Sequence, residues 1–333
     1  MASNLQLSIY QFVIKEKRTK KGEGYFKFGD FFRDNFLRSD DDPNEVTKEK
    51  LYENFIGDFI NLFHNEFKLN ANETRGIGPD FVKPYPSKHV IDGIIKGGPT
   101  GIEQEIFDKN DMNNPEGILD DDKLTTLPYY FKLWTPYDGK TGILMLQSYT
   151  DYSVNTLIIN HIKEIFRKYN TTYVPERFIP KELKEKYIDE SSVYKIAFLK
   201  NTLSRSARER LNPAFSDHEG IKIKVEVSGF NDDPNNFIEK LLSPEHIIGS
   251  NLRDLEINED EDHGTVLYYK DENGHQAHAK AEKTLEIKPT IYLPDNIKEY
   301  GKDHVDYEKV KTFTDGLLNK IKKEINYSPN DGV

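Results

Sequence analysis

Residues 129–149 read YYFKLWTPYDGKTGILMLQSY. Two aromatic and aliphatic runs, Tyr129 to Trp134 and Gly142 to Tyr149, flank a turn centred on Asp138-Gly139, which spells a β-hairpin. Immediately downstream, Val154, Ile158, Ile162, Ile165 and Tyr169 recur at helical spacing, with Asp151 or Ser153 placed to cap the helix. Strand, strand, helix predicts an α+β layer in which the helix covers one face of the sheet. Gly139-Lys140-Thr141 does not make a phosphate loop, because Trp134 stands where the first glycine of that motif is required.

Toward the N-terminus, Leu5, Leu7, Ile9, Phe12 and Ile14 give the near-alternation of a half-buried opening strand, followed by the charged connector KEKRTKKGEGYFK. Thr47 to Phe67 predicts an amphipathic helix through Leu51, Phe55, Phe59, Leu62 and Phe63, with Thr47 as N-cap and His64 on its rim. Residues 76–99 carry five glycines and four prolines and read as turns and short strands. The stretch DKNDMNNPEGILDDDK, Asp108 to Lys123, fails as a calcium loop because Met112 occupies a ligand position, and reads as a solvated acidic loop.

Toward the C-terminus, residues 171–192, with two prolines and many charges, predict a linker between an N-terminal α+β domain over 1–170 and a C-terminal one over 193–333. In the latter, Val193 to Leu199 and Ile221 to Val227 read as strands, and a helix is expected around Phe237 to Leu242. TVLYYKDENGHQAHAK reads as a hairpin turning at Asn273-Gly274, LEIKPTIYL as a strand, and Val305 to Ile325 as a closing amphipathic helix. The expected fold is therefore α+β, two domains, each a mixed or antiparallel sheet covered by amphipathic helices.

The chain has 333 residues, and 20 Phe with 19 Tyr supply ample core material. It has no cysteine, which excludes disulfides, thiolate metal sites and cysteine nucleophiles and points to a reducing cytoplasm. No apolar run is long enough for a membrane helix, so a soluble cytoplasmic protein is expected. Lys and Arg number 46 against 57 Asp and Glu, a formal charge of −11, which argues against a uniformly basic coat and leaves room for a local basic groove.

Catalytic signatures are absent: there is no serine elbow and no dinucleotide-binding glycine fingerprint in strand-turn-helix context. His275 and His278 fall on opposite faces of a strand, so neither they nor His263 predict a metal site, and no cofactor is expected. A nuclease would draw on Asp271, Glu286 and Lys288, although Glu286-Ile287-Lys288 also suits an ordinary exposed strand. The stronger signal is basic clustering, since phosphate neutralisation needs grouped Lys and Arg. Lys15, Lys17, Arg18, Lys20, Lys21 and Lys27 oppose two acids, with Tyr25 and Phe26 alongside as stacking candidates. Lys200, Arg205, Arg208 and Arg210 oppose only Glu209, with hydroxyls at Thr202, Ser204 and Ser206. If helical, this segment puts Arg205 and Arg208 on one face. The balancing acid is gathered at 40–42, 108–122 and 254–262, so the charge is segregated.

The order of elements resembles that of the RexA phage-exclusion proteins and of the DNA-binding subunit of the Kiwa antiphage system, KwaB. The segments that carry the resemblance are LSIYQFVIKEKRTKKGEGYFKFGDFFRDNF, TGILMLQSYTDYSVNTLIINHIKEIF, LYYKDENGHQAHAK and VDYEKVKTFTDGLLNKIKKEI. AFLKNTLSRSARERL is also similar to a basic stretch of nucleoid-associated proteins. The resemblance implies a cytoplasmic two-domain DNA-binding protein that forms a homodimer, senses phage DNA or protein-DNA intermediates, and works with a companion membrane protein or a phage protein. The expected contacts to phosphate are Lys15, Lys17, Arg18, Lys20, Lys21, Lys200, Arg205, Arg208 and Arg210. A metal-dependent nuclease and an adaptor that binds a partner through its acidic loops are the alternatives.

Overall fold

The computed structural model describes residues 4–17, 24–39, 41–42, 44–61, 66–200, 203–232, 263–271, 274, 276–280 and 289–327. Its strands are β1 (Leu5–Glu16), β2 (Lys68–Leu69), β3 (Arg75–Tyr85), β4 (Val90–Pro99), β5 (Gln104–Phe107), β6 (Pro115–Leu119), β7 (Leu127–Trp134), β8 (Thr141–Tyr149), β9 (Thr171–Arg177), β10 (Ser191–Lys200), β11 (Ile223–Asp232), β12 (His263–Asp271), β13 (Gln276–Lys280) and β14 (Ile291–Tyr292). Its helices are α1 (Phe28–Phe36), α2 (Lys48–Asn61), α3 (Asn155–Lys168), α4 (Lys181–Asp189), α5 (Arg205–Leu211) and α6 (Tyr307–Glu324). The sheets are antiparallel and the fold is α+β, as expected.

The chain divides into two compact units whose boundaries differ from the expected ones: Met1–Phe178 joined by Ile291–Val333, and Ile179–Thr290. The stretch expected to be a linker is not one. Its first part is β9, which pairs with β1 from Tyr10↔Arg177 to Glu16↔Thr171, and its second part is α4 followed by the start of β10. The closing helix α6 belongs to the first unit, so the second unit is an insertion between β9 and β14.

The first unit is built on a sheet of order β14-β1-β8-β7-β4-β3-β2, with β9 also on β1. The hairpin of residues 129–149 supplies its central strands, in register Phe131↔Leu146 and Leu133↔Leu144. Alternation along β7 sends side chains to two different covers. Phe131 stacks on Phe59 of α2 at 5.8 Å, whereas Tyr130 meets Thr314 of α6 at 2.8 Å and Trp134 meets Tyr327 at 4.9 Å. On the α1–α3 side, Phe12 packs against Phe28, Phe166 and Tyr173, and Phe32 against Phe55. Burial of each such ring contributes about 1.5–3 kcal/mol, which is why this phenylalanine-rich segment folds onto the sheet.

Residues 76–99 form long strands, β3 and β4, rather than turns. A bulge between Pro79 and Phe81 absorbs the proline, and Gly93 lets β4 approach β3 so closely that a Cβ there would lie 2.1 Å from the Phe81 carbonyl oxygen. Thr47 caps α2 as expected, its Oγ1 accepting from Lys50 N at 3.1 Å, whereas the N-cap of α3 is Val154, without a side-chain cap, and Ser153 Oγ one residue earlier accepts from Asn155 N at 3.2 Å. The expected acidic loop is partly ordered as the ribbon β5–β6, paired Gln104↔Leu119 to Phe107↔Pro115.

The second unit is a four-stranded sheet of order β11-β10-β12-β13, whose core includes Ile196, Phe198, Leu267 and Tyr269. The hairpin expected at Asn273-Gly274 is present as β12–β13, with Gly274 at φ 81°. The helix expected around Phe237 to Leu242 and residues 285–288 of LEIKPTIYL lie outside the described residues, while Ile291–Tyr292 at the end of that segment form β14 on the first unit's sheet. No helix among the described residues is long and apolar enough to cross a membrane.

Candidate nucleic-acid interface

The connection from β10 to β11 carries the basic segment 200–211 and forms one end of the second unit's sheet. Ser204 opens α5, its Oγ accepting from Ala207 N at 3.2 Å. Arg205 projects into solvent, its side chain 74% exposed, and meets the equally open Asp217 at 3.4 Å. Such a pair is worth well under about 1 kcal/mol, so it yields readily to a phosphate. Arg210 is also exposed.

Arg208 departs from the expectation. It is buried to 9% exposure, and Nη1 donates to the His218 carbonyl oxygen at 2.7 Å. The physical reason is that α5 has few apolar residues to seat it: Leu203 and Ala207 are buried, and the arginine stem completes that face while its head holds the following turn. Arg205 and Arg208 therefore do not form a common phosphate-facing pair, and Arg208 is a structural residue.

Sequence reading missed two further cations. Lys222 and Lys224 lie on the exposed alternation of IKIKVEV, the signal that would have found them, and Lys224 sits within 2.6 Å of Glu226. Glu226 is held below the usual carboxylate range by hydrogen bonds from Lys224 and then Lys195. Lys195 in turn lies 4.1 Å over the Tyr268 ring. Lys200 stands opposite Ile223 on one side and His263 on the other.

The N-terminal cluster lies in the other unit. Lys15 is part of β1, registered with Thr172 and bridged to Tyr25, while Lys17 is exposed just beyond the strand. Tyr25 and Phe26 are half-buried, and Phe26 N donates to the Ile14 carbonyl at 3.1 Å, which ties the proposed stacking residues back to the sheet. Arg18, Lys20 and Lys21 lie outside the described residues. Of the nuclease residues, Asp271 ends β12 opposite Ser191, and Glu286 and Lys288 lie outside the described residues. His278 is exposed on β13, 5.9 Å from the Tyr268 ring, and His275 lies outside the described residues. Among the described residues no three potential ligands gather around a metal position.

A second concentration of charge lies inside the first unit. Asp92 of β4 and Lys132 of β7 are registered neighbours, both buried, with Nζ 3.7 Å from Oδ2. Lys132 also pairs with Asp315 of α6 and donates to the Lys311 carbonyl at 3.4 Å. Tyr307 donates to Asp92 Oδ1 at 2.6 Å. Burial pushes the Asp92 carboxyl up and the Lys132 amine down. Burial also acts upward on Asp315, but the hydrogen bond and charge of Lys132 outweigh it and hold that carboxyl low. With Asp92 and Lys132 enclosed and Asp315 at the rim, this network fastens α6 to the sheet.

The arrangement defines an α+β protein of two units, with a charge-fastened frame and an inserted sheet bearing exposed cations. Compared with known proteins, the chain matches no family model, no curated protein and no solved structure.

Proposed function

We infer that the protein is a cytoplasmic, sequence-independent DNA-binding protein of a bacterial antiphage system, sensing phage DNA or a protein-DNA intermediate. The observation that carries the DNA reading is the β10–β11 end, where Arg205, Arg210 and Lys222 are exposed together on one connection. Lys17 of the other unit is a further phosphate contact in this reading. Each contact releases condensed counterions, so log K falls with log salt by about 0.9 per phosphate neutralised. The defence role, the homodimer and a companion membrane or phage protein belong to the proposal through the resemblance of the element order.

The test is a titration of labelled duplex at about 50 and about 200 mM salt, with and without Mg²⁺. Arg205→Glu/Arg210→Glu is expected to abolish binding at the higher salt and to flatten the salt slope by about 2. Unchanged affinity and slope would remove this surface from the proposal, and Mg²⁺-dependent strand cleavage would replace it with the nuclease.

One observation favours the adaptor as a second reading. Residues 101–122 carry eight acidic side chains against the single Lys109, and their ribbon also leaves Ile106, Met112 and Ile118 exposed to solvent. An acidic ribbon with apolar tips suits a basic protein partner. This reading predicts no DNA binding at any salt.

A further inference from the structure

The first unit contains a cleft of about 580 Å³ where the ends of β3 and β4, the start of β7 and the loop before α3 meet. That volume lies within the range of small-molecule sites, roughly 300–1,000 Å³. Its walls are apolar where Pro99, Leu127 and Val154 face it, and several polar groups converge on it whose hydrogen-bonding capacity is little used. The Arg75 side chain donates one hydrogen bond among the described residues, from Nη1 to the Ser153 carbonyl at 3.2 Å, and no carboxylate of those residues lies within 4.0 Å of its guanidinium. In a chain with an excess of acid, a cation left without a carboxylate beside a cavity is a vacancy for an anion.

Two tyrosines complete the cleft. Tyr129 is buried, with its ring edge-on to Tyr149 at 5.5 Å. Burial pushes its phenol up to about 12 while the Arg75 charge pulls the other way, so the hydroxyl stays protonated and a donor. Tyr152, by contrast, is 55% exposed and stacks on no other ring among the described residues, which leaves a flat apolar face unused. Gln104 and Thr126 add an amide and a hydroxyl that bond to no other described side chain or backbone group.

We propose that this cleft binds a nucleoside monophosphate, with its phosphate on Arg75 and its base against the Tyr152 ring. A guanidinium fork matches phosphate oxygens two at a time, and base-on-aromatic stacking contributes in addition without demanding a particular base. The site does not rest on the DNA reading: Arg75 and Tyr152 belong to the first unit, whereas Arg205 and Arg210 belong to the inserted one.

The test uses the full chain titrated calorimetrically with AMP, GMP, CMP and UMP, with inorganic phosphate and adenosine as controls. Saturable binding of at least one monophosphate with Kd tighter than about 1 mM is expected. Arg75→Ala and Tyr152→Ala should each weaken it at least about tenfold, with unchanged circular dichroism and melting and unchanged duplex binding. Both residues lie on the surface, so the variants fold. Absence of binding by all four monophosphates overturns the proposal, as does retention of affinity in the two variants. Inorganic phosphate or adenosine binding as tightly as AMP overturns the paired recognition of phosphate and base.

Discussion

Lys132→Met is the perturbation that tests most directly how α6 is held. It removes the cation registered against Asp92, a carboxylate with no solvent exposure whose Oδ2 makes no hydrogen bond among the described residues. Losing one member of a buried pair leaves the other charge uncompensated, at a cost of about 3–5 kcal/mol. Asp315 adds little to that cost, because it remains partly exposed and keeps Lys311 at 3.0 Å. For a unit of this size the loss corresponds to a melting temperature lower by roughly 10 °C. The chain has a single tryptophan, Trp134, buried two residues from Lys132, so its fluorescence during urea unfolding reports the first unit alone and avoids mixing two transitions. The double variant Asp92→Asn/Lys132→Met removes both charges while keeping an oxygen for the Tyr307 hydroxyl, and is expected to regain more than half of the loss. A single variant within about 1 kcal/mol of the parent, or a double variant no more stable than the single, would refute the buried-pair account.

Three other outcomes follow from the same fluorescence signal. Burial pushes His161 down to about 3, well below its unfolded value, so the unfolded chain binds a proton that the folded chain refuses. Its stability contribution is complete above about pH 6.5 and declines as pH falls toward 3, at up to about 1.4 kcal/mol per unit; His161→Leu should remove that slope between about pH 6.5 and 5, and an unaltered slope would contradict it. Gly93→Ala should cost about 3 kcal/mol, since its Cβ meets backbone at 2.1 Å, whereas Gly57→Ala, with nothing within 4 Å in mid-helix, should stabilise by about 0.5–1 kcal/mol; equal effects would discount the close approach of β3 and β4. Replacing 179–290 by a Gly/Ser linker of about six residues should leave the first unit folded, because Phe178 N and Leu293 N bond to Ile9 O and Leu5 O, both at 2.9 Å, and those carbonyls lie about 13 Å apart along β1. Loss of the buried-tryptophan signal would show that the insertion is needed for the frame.

Local pattern made most elements legible. The 129–149 hairpin, the opening strand and helices α2, α3 and α6 each declare themselves by periodicity, and α2 also by its cap Thr47, because those signals need only near neighbours in sequence. What stayed hidden depended on distant partners. Asp92 and Lys132 look like ordinary polar positions on strands until Asp315 arrives from the far end of the chain, and that arrival moves α6 out of the expected second domain. Arg208 reads as surface charge from composition, yet a seven-residue helix short of apolar side chains draws it inward. The glycines and prolines of 76–99 signal turns locally, whereas their actual service is close approach between two long strands. The Arg75 cleft has no sequence signature, since its walls come from five separate segments.

The connection between β4 and β7 argues where function is concentrated in the first unit. These strands are antiparallel neighbours, with Gly97 registered on Leu127, and two residues suffice to join such a pair. The chain instead takes residues 100–126, almost all of them exposed, and orders them as a ribbon whose base is pinned by Gly101 N to Asp121 O at 2.9 Å and Thr100 Oγ1 to Lys123 O at 2.6 Å. A two-stranded ribbon is marginal by itself, and ordering each residue costs about 1–2 kcal/mol that no core burial offsets here. The frame does not need this excursion for its stability. The same excursion supplies Gln104, Thr125 and Thr126 to the Arg75 cleft and carries the acidic, apolar-tipped surface beyond it, so both candidate binding features of the first unit hang from one rigidly anchored loop.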